Sequence, residues 1–234
     1  MALHSHTASH RGSRAIGEPT PWTTATPATW ALRVVVLGAG ALALHATFAF
    51  DYDQPGFYLA SGALALVWLL GGTLTARPRS PALLGPRQGV GHGLLAGTGL
   101  GAVYCLGAAV AQEIPLVADS IEAVIGRVEP DVFAPVLVTA LVVGASEEVI
   151  FRGAVVDWLP RPVIASTVCY AAVTAATGSL ALVLASVPLG LVAALLRVRT
   201  GRVASAVACH ASWTMVTLLI LPVVVTGSWF GGGG

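Results

Sequence analysis

Charge is what this sequence lacks. Of its 234 residues only 10% are charged, while 56% are hydrophobic, and the mean hydropathy is +0.81. A soluble domain carries roughly 25% charged residues, so a water-facing surface of this size cannot be covered. The deficit disfavours a soluble enzyme, a disordered chain, a coiled coil and a nucleic-acid binder together. Lysine is absent altogether: all 12 basic residues are arginine, and a net charge of +1 leaves no basic field to recruit nucleic acid. Cysteine is scarce too. Cys105, Cys169 and Cys209 are odd in number and form no CxxC pair, which argues against a disulfide framework or a cysteine-built zinc site and leaves them as small core residues. Residues 1–29 lack the apolar stretch of a secretory signal; with Arg11, Arg14, His4, His6, His10 and the Pro19–Thr29 run they read as a short disordered cytoplasmic tail.

What is present instead is a series of apolar segments. Crossing a hydrocarbon core of roughly 30 Å takes about 20 mostly apolar residues. Seven segments meet or approach that, at about 31–50, 57–76, 90–111, 132–151, 162–178, 180–196 and 203–226. None alternates as an outer-membrane strand would, and helices satisfy their own backbone in lipid. The expected fold is therefore all-α, a polytopic membrane bundle of about seven transmembrane helices. Arginine placement orients it. With the N-terminus inside, Arg11, Arg14, Arg33, Arg77, Arg79 and Arg87, then Arg152, Arg161, Arg197, Arg199 and Arg202, fall on the inner side, leaving Arg127 outside. Asp51, Asp53, Glu113, Asp119, Glu122, Glu129 and Asp131 fall outside. The C-terminus is then outside, with Ser228-Trp229-Phe230 at the interface. Gly89, Gly93, Gly97 and Gly101 recur every four residues and predict close helix packing. Ile114, Val117, Ile121, Val124 and Ile125 mark an amphipathic piece lying at the outer interface.

Charges inside spans are costly, so each is a functional candidate. Ser146-Glu147-Glu148-Val149-Ile150-Phe151-Arg152-Gly153 ends the fourth span after fourteen uncharged residues. Glu147 lies about 7–8 Å inward of Arg152 along a helix axis, in the cytoplasmic half of the bilayer. Glu148 and Arg152 are spaced i, i+4, the favourable order for an ion pair on one face. Glu147 points about 100° away with no local cation, a placement suited to a general base acting on water. The plainer alternative is that both glutamates cap an interfacial turn with Arg152.

This EExxxR motif followed by glycine resembles motif one of the CPBP family, the type II CAAX prenyl protease and bacteriocin-processing (Abi) membrane proteins. The resemblance covers about 132–226 and implies a four-helix core there. The segments thus divide into a 1–29 tail, variable spans with the amphipathic piece over 30–131, the core over 132–226, and a short tail over 227–234. His210 in Cys209-His210-Ala211-Ser212-Trp213-Thr214, after the basic turn at Arg197–Gly201, is similar to motif three, with Thr214 where the family often has asparagine. Motif two departs: Tyr170-Ala171-Ala172-Val173-Thr174 has threonine in place of histidine, and no histidine but His210 follows motif one. His45 and His92 would need another helix to approach as replacements.

The resemblance implies an intramembrane endopeptidase that cleaves a peptide bond near the cytoplasmic membrane face. Glu147 would activate water, Glu148 and Arg152 would organise the site, and His210 would stabilise the oxyanion or assist the leaving amine. The hydroxyls of Tyr170, Thr174 and Thr214 would support substrate or oxyanion. Two carboxylates and one histidine, with Glu148 tied to Arg152, are a poor match to the three ligands of a tight zinc site; a bound metal would fall to Glu147 and His210. No organic cofactor is expected. The partners expected are a peptide or membrane-protein substrate and the bilayer, and the arginine-, alanine- and glycine-rich composition suggests a bacterial plasma membrane. Two rivals stand beside this reading: a proteolytically silent CPBP-like protein acting in binding, immunity or regulation, supported by Thr174, and a small transporter using Glu147 and Glu148 as a proton relay.

Overall fold

The computed structural model describes residues 25–76, 89–126 and 128–227. Residues 1–24, 77–88, Arg127 and 228–234 lie outside them, with the readings placed there; of the tail read over 1–29, Pro27 to Thr29 already belong to the first helix. The chain is an all-helical integral membrane protein. Eight α-helices follow in order: α1 (Pro27–Thr47), α2 (Pro55–Thr75), α3 (Val90–Ala111), α4 (Pro115–Ile125), α5 (Phe133–Phe151), α6 (Pro162–Thr174), α7 (Leu180–Thr200) and α8 (Val203–Thr226). Among the described residues six of these are long and apolar enough to cross a membrane.

The difference from seven spans falls on α6. Residues after Phe151 are spent on a 3-10 turn at Val155–Asp157 before Pro162 starts the helix, and a second 3-10 turn at Ala175–Thr177 ends it. A helix of 13 residues rises only about 20 Å, less than the roughly 30 Å of a hydrocarbon core; it packs against α7 on one side and leaves Ile164 and Val168 exposed on the other.

Local chemistry sets the helix ends. Proline opens α1, α2, α4 and α6, where its missing N–H costs nothing. Thr26 caps α1 by accepting from Thr29 N, and Ser179 caps α7 by accepting from Leu182 N. Gly201 and Gly227, with φ of 70° and 72°, close α7 and α8 in the left-handed conformation that glycine takes without strain.

Two contacts shape the interior. Gly93, Gly97 and Gly101 of α3 lie against α8: a Cβ at Gly93 would come 2.9 Å from Ala208 Cβ, and one at Gly101 2.8 Å from Val216, so the backbones approach as small residues allow. At the Arg152 end, Trp68, Ile150, Phe151, Val155, Trp158 and Leu189 form a core with at most 2% exposure each. Trp68 meets Phe151 edge-on at 5.4 Å, and Trp158 Nε1 donates to Thr75 O at 3.2 Å.

α4 is amphipathic, as its apolar spacing predicts: Val117, Ile121, Val124 and Ile125 line a cavity of the bundle, whereas Ile114 and Leu116 are exposed. An apolar face buries wherever apolar surface is nearest, and here the open end of the bundle supplies it.

Candidate active site

Motif one occupies the last turns of α5. Glu148 is wholly buried, and its carboxylate lies between two partners: Arg152 Nε is 3.2 Å from one oxygen, and His210 Nδ1, brought in by α8, is 2.9 Å from the other. A buried charge is tolerable only when paired in this way. A carboxylate only accepts, so Nδ1 donates, and in the neutral ring Nε2 is left as an acceptor.

The guanidinium of Arg152 lies over the Tyr170 ring, 4.8 Å from its centroid, a favourable cation–π arrangement. Gly190 of α7 makes the room: a Cβ there would come 3.3 Å from Arg152 Nη2 and 3.2 Å from Tyr170 Cδ1. From the same helix Arg197 Nε donates to the Arg152 carbonyl at 2.9 Å, satisfying an oxygen that the end of α5 leaves without an intrahelical partner.

Glu147 turns to the other side of α5. Its Oε2 accepts a hydrogen bond of 2.9 Å from the Tyr170 hydroxyl; its second oxygen has no hydrogen-bond partner among the described residues. Glu147, Tyr170, Thr174, His210 and Thr214 all line one cavity of about 590 Å³. The structure therefore brings Glu147, Glu148, Arg152, Tyr170 and His210 into direct contact or one contact apart, with Thr174 and Thr214 on the same wall. Thr174 spends its hydroxyl on its own helix, donating to Tyr170 O at 2.9 Å. The group that motif two offers to Glu147 is thus the Tyr170 phenol.

The two other histidines weighed from the sequence stand elsewhere. His45 Nδ1 is 2.9 Å from Ala176 O, at the turn after α6; His92 is exposed on α3. Among the described residues no group of three His, Cys, Asp or Glu is arranged to hold a metal ion. With Glu148 engaged by Arg152 and His210, the donor set does not fit a three-ligand zinc centre, and no step below passes through one.

Two residues at the site escaped sequence reasoning. Gly144, one turn before Glu148 on α5, seats the imidazole: a Cβ there would come 2.9 Å from His210 Nε2. Trp213 meets His210 edge-on at 5.9 Å and is itself met by Tyr104 at 5.6 Å. The i, i+3 spacing of His210 and Trp213 was a usable signal for the second; nothing local marks Gly144.

One comparison with known protein families gives a match. Residues 129–216 match the family model described as type II CAAX prenyl endopeptidase Rce1-like. No curated protein and no solved structure matches the chain. The Rce1-like segment begins just before α5 and ends within α8, so it carries a CAAX-protease-family domain over part of the chain and contains Glu147, Glu148, Arg152, Tyr170, Thr174, His210 and Thr214. The helices α1 to α4 lie before it.

Proposed function

We propose that this protein is an intramembrane endopeptidase of the CPBP type, hydrolysing a peptide bond with a water activated by Glu147. One observation carries the reading: Glu147 has one oxygen held by Tyr170 and the other unengaged, at the end of a cavity that His210 also lines. Water gives a proton to that oxygen as its own oxygen bonds to the carbonyl carbon. The tetrahedral oxyanion is met by the Thr214 hydroxyl on the cavity wall. The C–N bond then breaks as the leaving nitrogen takes a proton from Glu147, directly or through His210 Nε2. Glu148 and Arg152 act through His210 and Tyr170, fixing both rings. Glu147 stands one to two turns from the end of α5 that carries Arg152, which by the arginine rule is the cytoplasmic end.

A second reading, a proteolytically silent protein that binds peptides with the same site, is favoured by Thr174, whose hydroxyl is turned back onto Tyr170 O. The two separate in one experiment. Purified protein in detergent should cleave a quenched fluorescent peptide, and Glu147→Gln should abolish cleavage with expression and thermal stability retained. Unchanged turnover in Glu147→Gln refutes the general base; wild-type protein that binds peptide and never cleaves it supports the silent reading.

A further inference from the structure

The cavity extends from Glu147 and His210 to the end of the bundle that carries α4. Its walls are the later parts of α1, α3 and α6, the earlier parts of α2 and α7, α5 from Val136 to Glu147 and α8 from His210 to Leu221. From Val136 to Glu147, both lining residues, the path along α5 is about 16 Å. Beyond Glu147, toward Arg197 and Arg202, none of the described residues lines the cavity. Arg152, Phe151, Ala154 and Val155 have no exposed surface, Trp158 has 2%, and Arg33 stacks on Trp158 at 5.0 Å. Glu147 is near the arginine end by depth, yet the void that reaches it comes from the other end.

α4 covers that other end. Its apolar face lines the cavity, and Ser120 holds it in place: Ser120 Oγ accepts from Ala181 N at 3.0 Å and lies 3.3 Å from Ser179 Oγ, the cap of α7. The rim is acidic. Asp53, Glu113, Asp119, Glu122, Glu129 and Asp131 are all exposed there, and every described arginine belongs to the opposite half of the bundle.

We propose that the cavity under α4 binds an apolar peptide segment carrying positive charge on its trailing flank. The segment enters from the acidic face, with α4 as the lid that must lift at Ser120. The apolar walls accept the segment; the rim holds the basic flank by charge complementarity, which steers entry as well as holding it. This rests on the endopeptidase reading for what Glu147 does afterwards, but not for how the segment arrives.

The test uses the full chain carrying Glu147→Gln, reconstituted in lipid vesicles, so that capture is read without turnover. The probe is a synthetic apolar peptide with lysines at one end and a photoreactive diazirine at the other. Labelling of Glu122→Cys by a membrane-impermeant thiol reagent identifies the face that carries α4. Added on that face, the probe should crosslink to Val143, Thr217 or Leu218. A Ser120→Cys/Ser179→Cys pair, whose oxidation itself reports that α4 is folded in place, should lose the crosslink when oxidised and regain it on reduction. Replacing the lysines of the probe by glutamates should lower capture about tenfold or more. Equal or better capture from the arginine face overturns the route, and capture indifferent to the disulfide overturns the lid. Equal capture of a diazirine-bearing fatty acid overturns the peptide as occupant in favour of a lipid. Loss of cleavage in the wild-type protein with capture intact would refute the endopeptidase reading alone.

Discussion

Alanine at Gly97 should break the candidate site from a distance. Gly97 faces α8, and an added Cβ would lie 2.8 Å from the Cys209 carbonyl carbon, closer still to its oxygen and to Ser212 Oγ. Carbon atoms in contact prefer about 3.5–4.0 Å, and backbone cannot rotate aside as a side chain can. The helices must therefore part by roughly 1 Å in an interior otherwise close-packed. Overpacking of this kind costs about 1–3 kcal/mol. The Ser212 hydroxyl, 3.1 Å from Leu94 O, keeps Ala208 O of its own helix at 2.9 Å, so its proton stays bonded. Alanine returns about 1 kcal/mol in helix propensity, so a net loss near 1 kcal/mol remains. For a chain of this size that lowers Tm by about 2–4 °C. His210 follows Cys209 directly, so the same movement stretches its 2.9 Å bond to Glu148 toward about 4 Å, beyond hydrogen-bonding range. Gly99 is the control: nothing stands within 4 Å of a Cβ there, and alanine should be neutral or stabilising by up to about 1 kcal/mol. Thermal unfolding of both variants in one detergent, with cleavage measured alongside, checks the reasoning. Gly97→Ala matching Gly99→Ala in both would refute it.

Three further outcomes are expected. Gly144→Ala puts a methyl 2.9 Å from His210 Nε2; Tm should stay within a few degrees, because propensity offsets crowding, while peptide cleavage falls about tenfold or more, since misplacement by 1 Å costs about a hundredfold. Arg152→Met removes the cation paired with the buried Glu148 carboxylate, a loss of about 3–5 kcal/mol in stability; chemical unfolding should show it, and adding Glu148→Gln should recover most of it. Tyr170→Phe keeps the ring under Arg152 and removes the hydroxyl from Glu147; kinetics should show a lower kcat with KM little changed, because the substitution alters the reacting carboxylate and leaves the cavity walls in place.

How much of this could be read from residues alone follows from the range of the forces involved. Six spanning helices and their order were legible because lipid demands a long uncharged run from each, a property of one segment at a time. The same property made 162–178 legible as an apolar segment, and only the turns bracketing Pro162 and Ala175 show that its helix stops early. Glu148 and Arg152 were legible as partners because four residues on a helix fix their separation. The tie of His210 to Glu148, 62 residues away, and that of Tyr170 to Glu147 could be suspected only through the family resemblance, since the register between helices is set by packing. Gly97, Gly144 and Gly190 decide that packing by what they omit, and of the three only Gly97 stood in a visible repeat. The direction of the cavity lay furthest from view. Arginine placement distinguishes one end of the bundle from the other, but a void forms where side chains fail to meet: at the Arg152 end Trp68, Phe151 and Trp158 pack into one core, while under α4 Tyr52, Phe57 and Trp213 stand on the cavity wall without filling it. The charge pattern that orients the chain and the packing that opens it are thus separate facts. Their combination is what places a carboxylate deep toward the arginine side and its access on the acidic one.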